Sequence, residues 1–595
     1  MNGPRIGYVL AMPRPHSHLF EVTITIDGWS EPRLDLVMPS WTPGSYMIRE
    51  YARHVQEFSA ETDGHAARWE KTAKDAWRVE TLLHGRTKIT YKVFAHDLTV
   101  RTCHLDGTHG FGNGAGLFMF VPGRTGDAIT LEIQAPPKWQ VATGLEAMGG
   151  GNGIFRFRAR DYDELVDCPV ECGTHRLLTF DVDGVQHRIA IWGRGNEDEG
   201  RLVEDTKAIV TAQKSFFGGL PYKHYTFIHH LAAGRGGLEH RNSAVFLADR
   251  FGFRPRASYE RFLELVSHEL FHVWNVKRVR PQPLGPFDYR RENHTRQLWT
   301  MEGITTYYEK RFLLAAKIYP KERFLERVAE EIATLHAQPG RAHQSLEQSS
   351  FDAWIKLYRP DENSTNSSIS YYLKGSIVAM LLDLTIRAAT ARKLALDDVI
   401  RHLAKQATLD DAGFDEPEGF QAAVEKVAGE RDGVFRRFFE RYVAGTTELD
   451  YDEILGAAGL KLGWSRRGGT EAERGAWIGV ATRAEGHRLF VSSVRADGPA
   501  AAAGLYAGDE IVAIDGQRVD ETRFAPRLSE RSAGAVAKLA VFRRDELIEI
   551  PITLAEPPAD VATIVSREGA TAEQIALRDA WLAPAPALAA ASSRH

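Results

Sequence analysis

Apolar and polar residues alternate along the N-terminal part of the chain. Leu19–Ile26 (LFEVTITI) and Ile89–Phe94 (ITYKVF) are short runs of this kind, separated by Gly, Pro and Asp turns. A two-residue period predicts strands with one buried face, and many short strands predict an antiparallel β-sandwich over residues 1–173. The period then lengthens. Phe262, Leu263, Leu265, Val266, Leu270, Phe271 and Val273 recur at helical spacing, with Ala257-Ser258 as the expected N-terminal cap. Residues 174–464 therefore read as a β portion followed by a mainly helical domain. Within it, a polar stretch rich in Gln, Ser and Asn, Gln338 to Ser370, predicts a wall or lid of a cleft. A turn-rich linker, Ser465–Gly469, precedes a smaller unit over residues 470–556. There, Gly498 to Gly516 reads as a short helix, a turn and a strand ending in an Asp-Gly hairpin. Residues 557–595 read as a tail with one helical segment and a disordered Ala-, Pro- and Ser-rich end. The fold class is multidomain α+β.

Length supports several domains, because 595 residues exceed what one core sustains. A hydrophobic share of 43% and a charged share of 26% describe an ordinary globular protein. The net charge of −5 gives no global field toward nucleic acid or an acidic membrane. The basic run Lys277-Arg278-Val279-Arg280 is too short to change this and reads as solvated or internally paired. Cys103, Cys168 and Cys172 form neither a disulfide framework nor a CxxC pair, so buried free thiols are expected. The N-terminus lacks the apolar core of a signal peptide, and no run approaches transmembrane length. The expected location is cytoplasmic, or periplasmic if a leader was removed.

The chemistry concentrates in His268-Glu269-Leu270-Phe271-His272, an HExxH sequence inside the helical pattern. Positions i and i+4 share a helix face, so His268 and His272 can bind one zinc while Glu269 faces the open coordination position. A third ligand candidate, Glu302, opens another helical run. Two histidines and a glutamate match the ligand count of catalytic zinc. Glu239 stands behind Gly236 and Gly237, where the chain permits close backbone approach, and a carboxylate near zinc there can hold a substrate ammonium.

With GGLEHRNS at Gly236 to Ser243, HELFHVWNVKRVRP at His268 to Pro281, LGPFDY at Leu284 to Tyr289 and LWTMEGITTYY at Leu298 to Tyr308, the sequence resembles the glycyl aminopeptidases that carry a PDZ domain. These are gluzincin metallopeptidases. The resemblance extends to WTPGSYMIREYARHV at Trp41 to Val55, FDAWIKLYRPDEN at Phe351 to Asn363 and ISYYLKG at Ile369 to Gly375. It implies a thermolysin-like catalytic domain in which His268, His272 and Glu302 hold one zinc per chain. Glu269 would activate water, Glu239 would anchor the free α-amino group, and Tyr372 of a Tyr-x-Lys-Gly sequence, or its neighbour Tyr371, would stabilise the oxyanion. It also implies release of small N-terminal residues, glycine or alanine.

Residues 476–554 resemble a bacterial-type PDZ domain. Trp477-Ile478-Gly479-Val480 is similar to its carboxylate-binding loop, which implies a C-terminal peptide as partner. Competing readings are a zinc endopeptidase, an epoxide hydrolase, and a PDZ scaffold with an inactive hydrolase core.

Overall fold

The computed structural model describes residues 4–408, 413–467 and 475–588. Part of the expected linker and the last seven residues of the expected tail, 589–595, lie outside that set.

The N-terminal part is β-rich, as its alternation predicts. Its largest sheet has eight strands, joined by a three-stranded and a four-stranded sheet. Inward residues such as Leu10, Phe20, Ile24, Ile89 and Leu131 fill the core between them. One pairing departs from the expected antiparallel pattern: Arg5–Ala11 runs parallel to Ile129–Gln134. Alternation alone cannot distinguish the two, because side chains alternate faces in both.

Strands Arg176–Val182, Val185–Trp192, His224–Leu231, Ser243–Ala248 and Gly236–Glu239 form the next sheet, in that spatial order. The last is an edge strand, antiparallel to Ser243–Ala248. Helices follow. Arg256–Phe271 begins ahead of the expected cap, with Pro255 at the N-cap and no side-chain cap bond. Lys277 donates to Asp167 Oδ1 at 2.8 Å and Arg278 to Pro221 O at 2.7 Å, so the basic run is internally paired.

The central helix, Tyr371–Ala389, is buried on nearly every side. Together with the preceding turn, Ser364–Ala389 is long and apolar enough to cross a membrane, which corrects the reading that no run reaches that length; 78% of its apolar window is buried within the protein. Burial within the protein accounts for the composition here. This helix approaches the turn carrying Glu302 through Gly303 and Gly375, where a Cβ on Gly303 would lie 2.6 Å from the Gly375 Cα. Only glycine permits that contact, which fixes Glu302 relative to Tyr371 and Tyr372.

Of the expected wall or lid, Ala353 and Trp354 join the same core as this helix and Tyr358 Oη lies 3.1 Å from Tyr372 Oη, while Ser364–Ser367 lies against Pro339–Ala342. The aromatic segment Trp41–Tyr46 of the N-terminal part inserts into the same helical core, with Trp41 Nε1 donating to Asp288 O at 2.9 Å. All three cysteines are buried and free.

The PDZ domain is held at both ends. Leu460–Ser465 pairs antiparallel with Val561–Ser566, and the domain hangs from this ribbon. Asn366 adds a contact, donating to Val494 O and accepting from Ala496 N, both at 2.9 Å. Beyond the ribbon, helix Ala572–Leu582 docks on the catalytic core. The segment expected as a tail is integral as far as Leu588, whose N–H donates to Ser215 O at 3.1 Å.

Candidate active site

Helix Arg256–Phe271 carries His268 and Glu269 in its last turn, and His272 closes it. Glu302 lies in a π-helical turn, Trp299–Gly303, that feeds helix Ile304–Ala315. Such turns reposition one side chain relative to a regular helix and recur at functional sites. The three side chains converge: His268 Nε2 and His272 Nε2 lie 3.2 and 3.1 Å from the same oxygen, Glu302 Oε2. Ligands on a tetrahedral zinc with bonds near 2.0–2.1 Å stand about 3.3 Å apart, a separation that both imidazole-to-carboxylate distances match.

The opposite ring nitrogens are held. His268 Nδ1 meets Glu309 Oε2 at 2.7 Å, and His272 Nδ1 donates to Asn275 O at 2.7 Å. Asn275 Nδ2 in turn donates to Thr300 O at 2.9 Å and Met301 O at 3.1 Å, tying the HExxH helix to the turn of Glu302. Metal-bound imidazoles ordinarily have such partners, which orient the ring.

Electrostatics agree with a cation site. Burial opposes charge on His268 and His272, yet Glu302 and the surrounding carboxylates raise both imidazoles above their usual range. Glu302 is held low by the same two imidazoles despite its burial. A site that draws protons onto two buried imidazoles has the field to draw a divalent cation in their place.

Glu269 is buried and has its carboxyl pushed upward, first by burial and then by Glu239 and Glu302, against the pull of His268 and His272. Gly237 on the edge strand lies against it, and a Cβ there would overlap the Glu269 carboxylate. Glu239 ends the same strand, is 3% exposed, and has Oε1 buried without a hydrogen-bond partner. It groups with Glu269 and His272, one donor atom of each lying within 4.8 Å of the others.

Of the two neighbouring tyrosines, Tyr371 is fully buried, whereas Tyr372 is partly exposed. The Tyr372 ring lies 6.2 Å from that of His268, and its hydroxyl meets Tyr358 Oη at 3.1 Å. Burial raises Tyr372 well above 10, so it stays protonated and able to donate. The Tyr371 hydroxyl is buried with no hydrogen-bond partner among the described residues.

Sequence reasoning had not singled out Glu309, Asn275, Tyr46 or Tyr358. Tyr46 lies within electrostatic reach of Glu302 and Glu239, and Tyr358 of Glu302. The segments of Asn275, Tyr46 and Tyr358 belong to the family resemblance, which is the available signal, and Glu309 follows the last residue of one of its motifs.

A second buried donor group, His109, Glu171 and His230, joins the N-terminal part to the catalytic sheet. Here the imidazoles meet different oxygens of Glu171, at 3.1 and 2.9 Å, and the far nitrogens His109 Nε2 and His230 Nδ1 have no partner. Through Glu171 the two imidazoles hydrogen-bond the N-terminal part to the catalytic sheet. Burial opposes the Glu171 charge, but the two imidazoles bring its carboxyl down to about 2.

The loop Trp477–Val480 belongs to the separate PDZ sheet, where Gly479 has φ +79° and its carbonyl accepts from Arg495 N at 2.8 Å. Strand Val480–Glu485 is an edge of that sheet and is largely exposed.

Residues 7–174 match the Peptidase M61 N-terminal domain, residues 261–378 the M61 glycyl aminopeptidase domain, and residues 476–554 a PDZ domain. The crystal structure of an aminopeptidase N family protein from Idiomarina loihiensis is 30% identical with a TM-score of 0.87, covering 97% of this chain and 100% of that one. Among curated proteins, a probable periplasmic serine endoprotease DegP-like from Brucella suis is 38% identical over 101 residues, 15% of this chain and 20% of the relative. That match lies in the PDZ region, and the chain spans about a fifth of this relative's length. The ordered M61 and PDZ matches, with a solved relative alike over nearly the whole chain, place this protein in the M61 glycyl aminopeptidase family, in a form that carries a PDZ domain.

Proposed function

We propose that this chain is a zinc aminopeptidase releasing small N-terminal residues such as glycine or alanine. The observation that carries the reading is Glu239: a buried carboxylate with an unpartnered oxygen, placed beside the general-base candidate, is an ammonium acceptor. An endopeptidase has no use for such a group.

His268, His272 and Glu302 would hold one zinc. When bound, zinc supplies Lewis acidity, lowering the pKa of a water ligand to about 7 and polarising a carbonyl. Glu269 accepts the proton of the attacking water and returns it to the departing amine. Tyr372 donates to the carbonyl oxygen as it becomes anionic, a kind of contact worth about 3 to 4 kcal/mol in other enzymes. Glu239 fixes the register by holding the substrate ammonium. Gly44 lies against the Glu239 carboxylate, and the close approach of its backbone leaves little room beside the ammonium, which favours a small first side chain. The exposed edge Val480–Glu485 of the PDZ domain suits an extended peptide added as a strand.

The test is zinc content together with hydrolysis of glycyl and alanyl nitroanilides by wild type and Glu269→Gln, with and without a chelator. Acetylated substrates should be resistant. One zinc per chain and chelator-sensitive hydrolysis lost in Glu269→Gln are expected; cleavage of acetylated peptides at equal rate would instead favour an endopeptidase.

A further inference from the structure

Two arginines stand beside the active site without a carboxylate partner. Arg101 lies in the loop before strand His104–Leu105, pinned by its backbone: its N–H bonds Thr99 Oγ1 at 3.1 Å and its carbonyl accepts from Tyr51 Oη at 2.7 Å. One guanidinium nitrogen, Nη1, lies 3.5 Å from where a Cβ on Gly236 would stand. Arg49 is close enough for Arg101 to disfavour its charge, and burial disfavours it more strongly. Arg49 Nη2 donates to Ser45 Oγ at 2.9 Å. On both residues Nε is buried without a partner. Exposed Asp97 lies within electrostatic reach of Arg49, yet neither arginine forms an ion pair among the described residues. Both act electrostatically on Tyr358, whose hydroxyl contacts Tyr372.

Two neighbouring guanidinium groups in a partly dry site repel one another and retain unsatisfied donors, a state that an anion relieves. The planar guanidinium fork matches a carboxylate.

The order along the edge strand says which carboxylate. Glu239, at one end, is the proposed ammonium acceptor; Gly237 lies on Glu269; Gly236, at the other end, lies beside Arg101. A substrate laid along this edge as an added strand would run from its amino end at Glu239 toward Arg101. Three residues of strand span about 10 Å, as do three residues of extended peptide.

Resting on the aminopeptidase reading above, we propose that Arg101, supported by Arg49, binds a substrate carboxylate two to three residues from the amino end, so that short peptides with a free C-terminus are preferred substrates. The same chemistry is offered by an acidic side chain at that distance in a longer peptide.

The experiment measures kcat/KM for Gly-Ala-Ala, its C-terminal amide, and Gly-Ala-Glu amide, with wild type, Arg101→Gln, Arg101→Lys and Arg49→Gln, alongside a glycyl nitroanilide. In wild type the free acid should exceed the amide at least tenfold, mainly through KM, with the ratio falling as salt is added. Arg101→Gln should bring the ratio near one, while Arg101→Lys keeps part of it. Rescue of the amide by glutamate would assign the site to acidic side chains as well. An acid-to-amide ratio within twofold in wild type, with the nitroanilide cleaved, overturns this inference alone. Failure to cleave any of the substrates overturns the aminopeptidase reading and this inference with it.

Discussion

The carboxylate of Glu239 rests against the backbone of Gly44, so that a Cβ on Gly44 would stand 2.5 Å from Glu239 Oε1. The N-terminal part thus supplies the floor beneath the group assigned to the substrate ammonium. Gly44 also has φ +86°, a conformation that strains any other residue. Gly44→Ala should displace Glu239 and raise KM for glycyl substrates by tenfold or more, with kcat less affected. Steady-state kinetics on a glycyl nitroanilide decide it, and an unchanged KM would remove Glu239 from the amine-binding role.

Gly237 stands in the same relation to Glu269. An added methyl overlaps the carboxylate, which must turn away from the water it is to deprotonate. Gly237→Ala should lower kcat by about 10²- to 10⁴-fold, the usual worth of a general base. Metal content, measured on the same sample, should be unchanged, because His268, His272 and Glu302 do not depend on that strand.

Glu309 orients His268 through Nδ1 at 2.7 Å. Removing that partner in Glu309→Ala frees the ring to rotate. Metal affinity should fall by about 10- to 100-fold, read by competition with a chelator. Equal affinity in variant and wild type would make Glu309 a bystander.

The C-terminal helix is part of the catalytic core. Trp581 is fully buried, its Nε1 donates to Tyr307 Oη at 2.8 Å, and its carbonyl accepts from Arg311 at 2.6 Å. Trp581→Ala should destabilise by about 3 to 5 kcal/mol, as for other buried aromatic truncations, and a denaturant midpoint unchanged from wild type would contradict the packing.

The legible features of this chain are those set by local spacing. His268, Glu269 and His272 lie within one helical turn, so their relation follows from the helix period alone. Glu302 was reached through its motif, since nothing in the spacing of residues 268 and 302 says that a π-helical turn will aim it at the two imidazoles. Tyr46 and Arg101 come from the N-terminal part, Tyr358 lies 14 residues before Tyr372, and Glu309 lies 41 residues after His268, and the spacing of none of them says that it meets the site. The expected cap at Ser258 failed because Pro255, ahead of it, fixes the helix start by backbone geometry rather than by a side-chain bond. The helical segment after residue 557 is legible in the sequence, but its docking through Leu577 and Trp581 and the pairing of Val561–Ser566 with Leu460–Ser465 are not, because both partners lie far away along the chain.

Lys374 lies next to Gly375 on the central helix and is 2% exposed. Burial lowers its amine to about 8 from an ordinary 10.5, opposed by the attraction of Glu448. The sign follows. Above pH 10.5 the amine is neutral in both folded and unfolded chains, and burial carries no charge penalty. As pH falls toward 8 the unfolded chain binds the proton first, so folding loses stability. Below 8 the penalty reaches its full size, at most about 3 kcal/mol. Lys374→Met keeps the length of the side chain and removes the amine. The variant should be more stable than wild type at pH 7, and the difference should shrink toward zero near pH 10.5. Denaturant unfolding of both proteins at the two pH values measures this. A difference independent of pH would mean that the Lys374 amine reaches water in the folded protein, and that its place in the Tyr-x-Lys-Gly sequence reflects the packing of its stem rather than a buried charge.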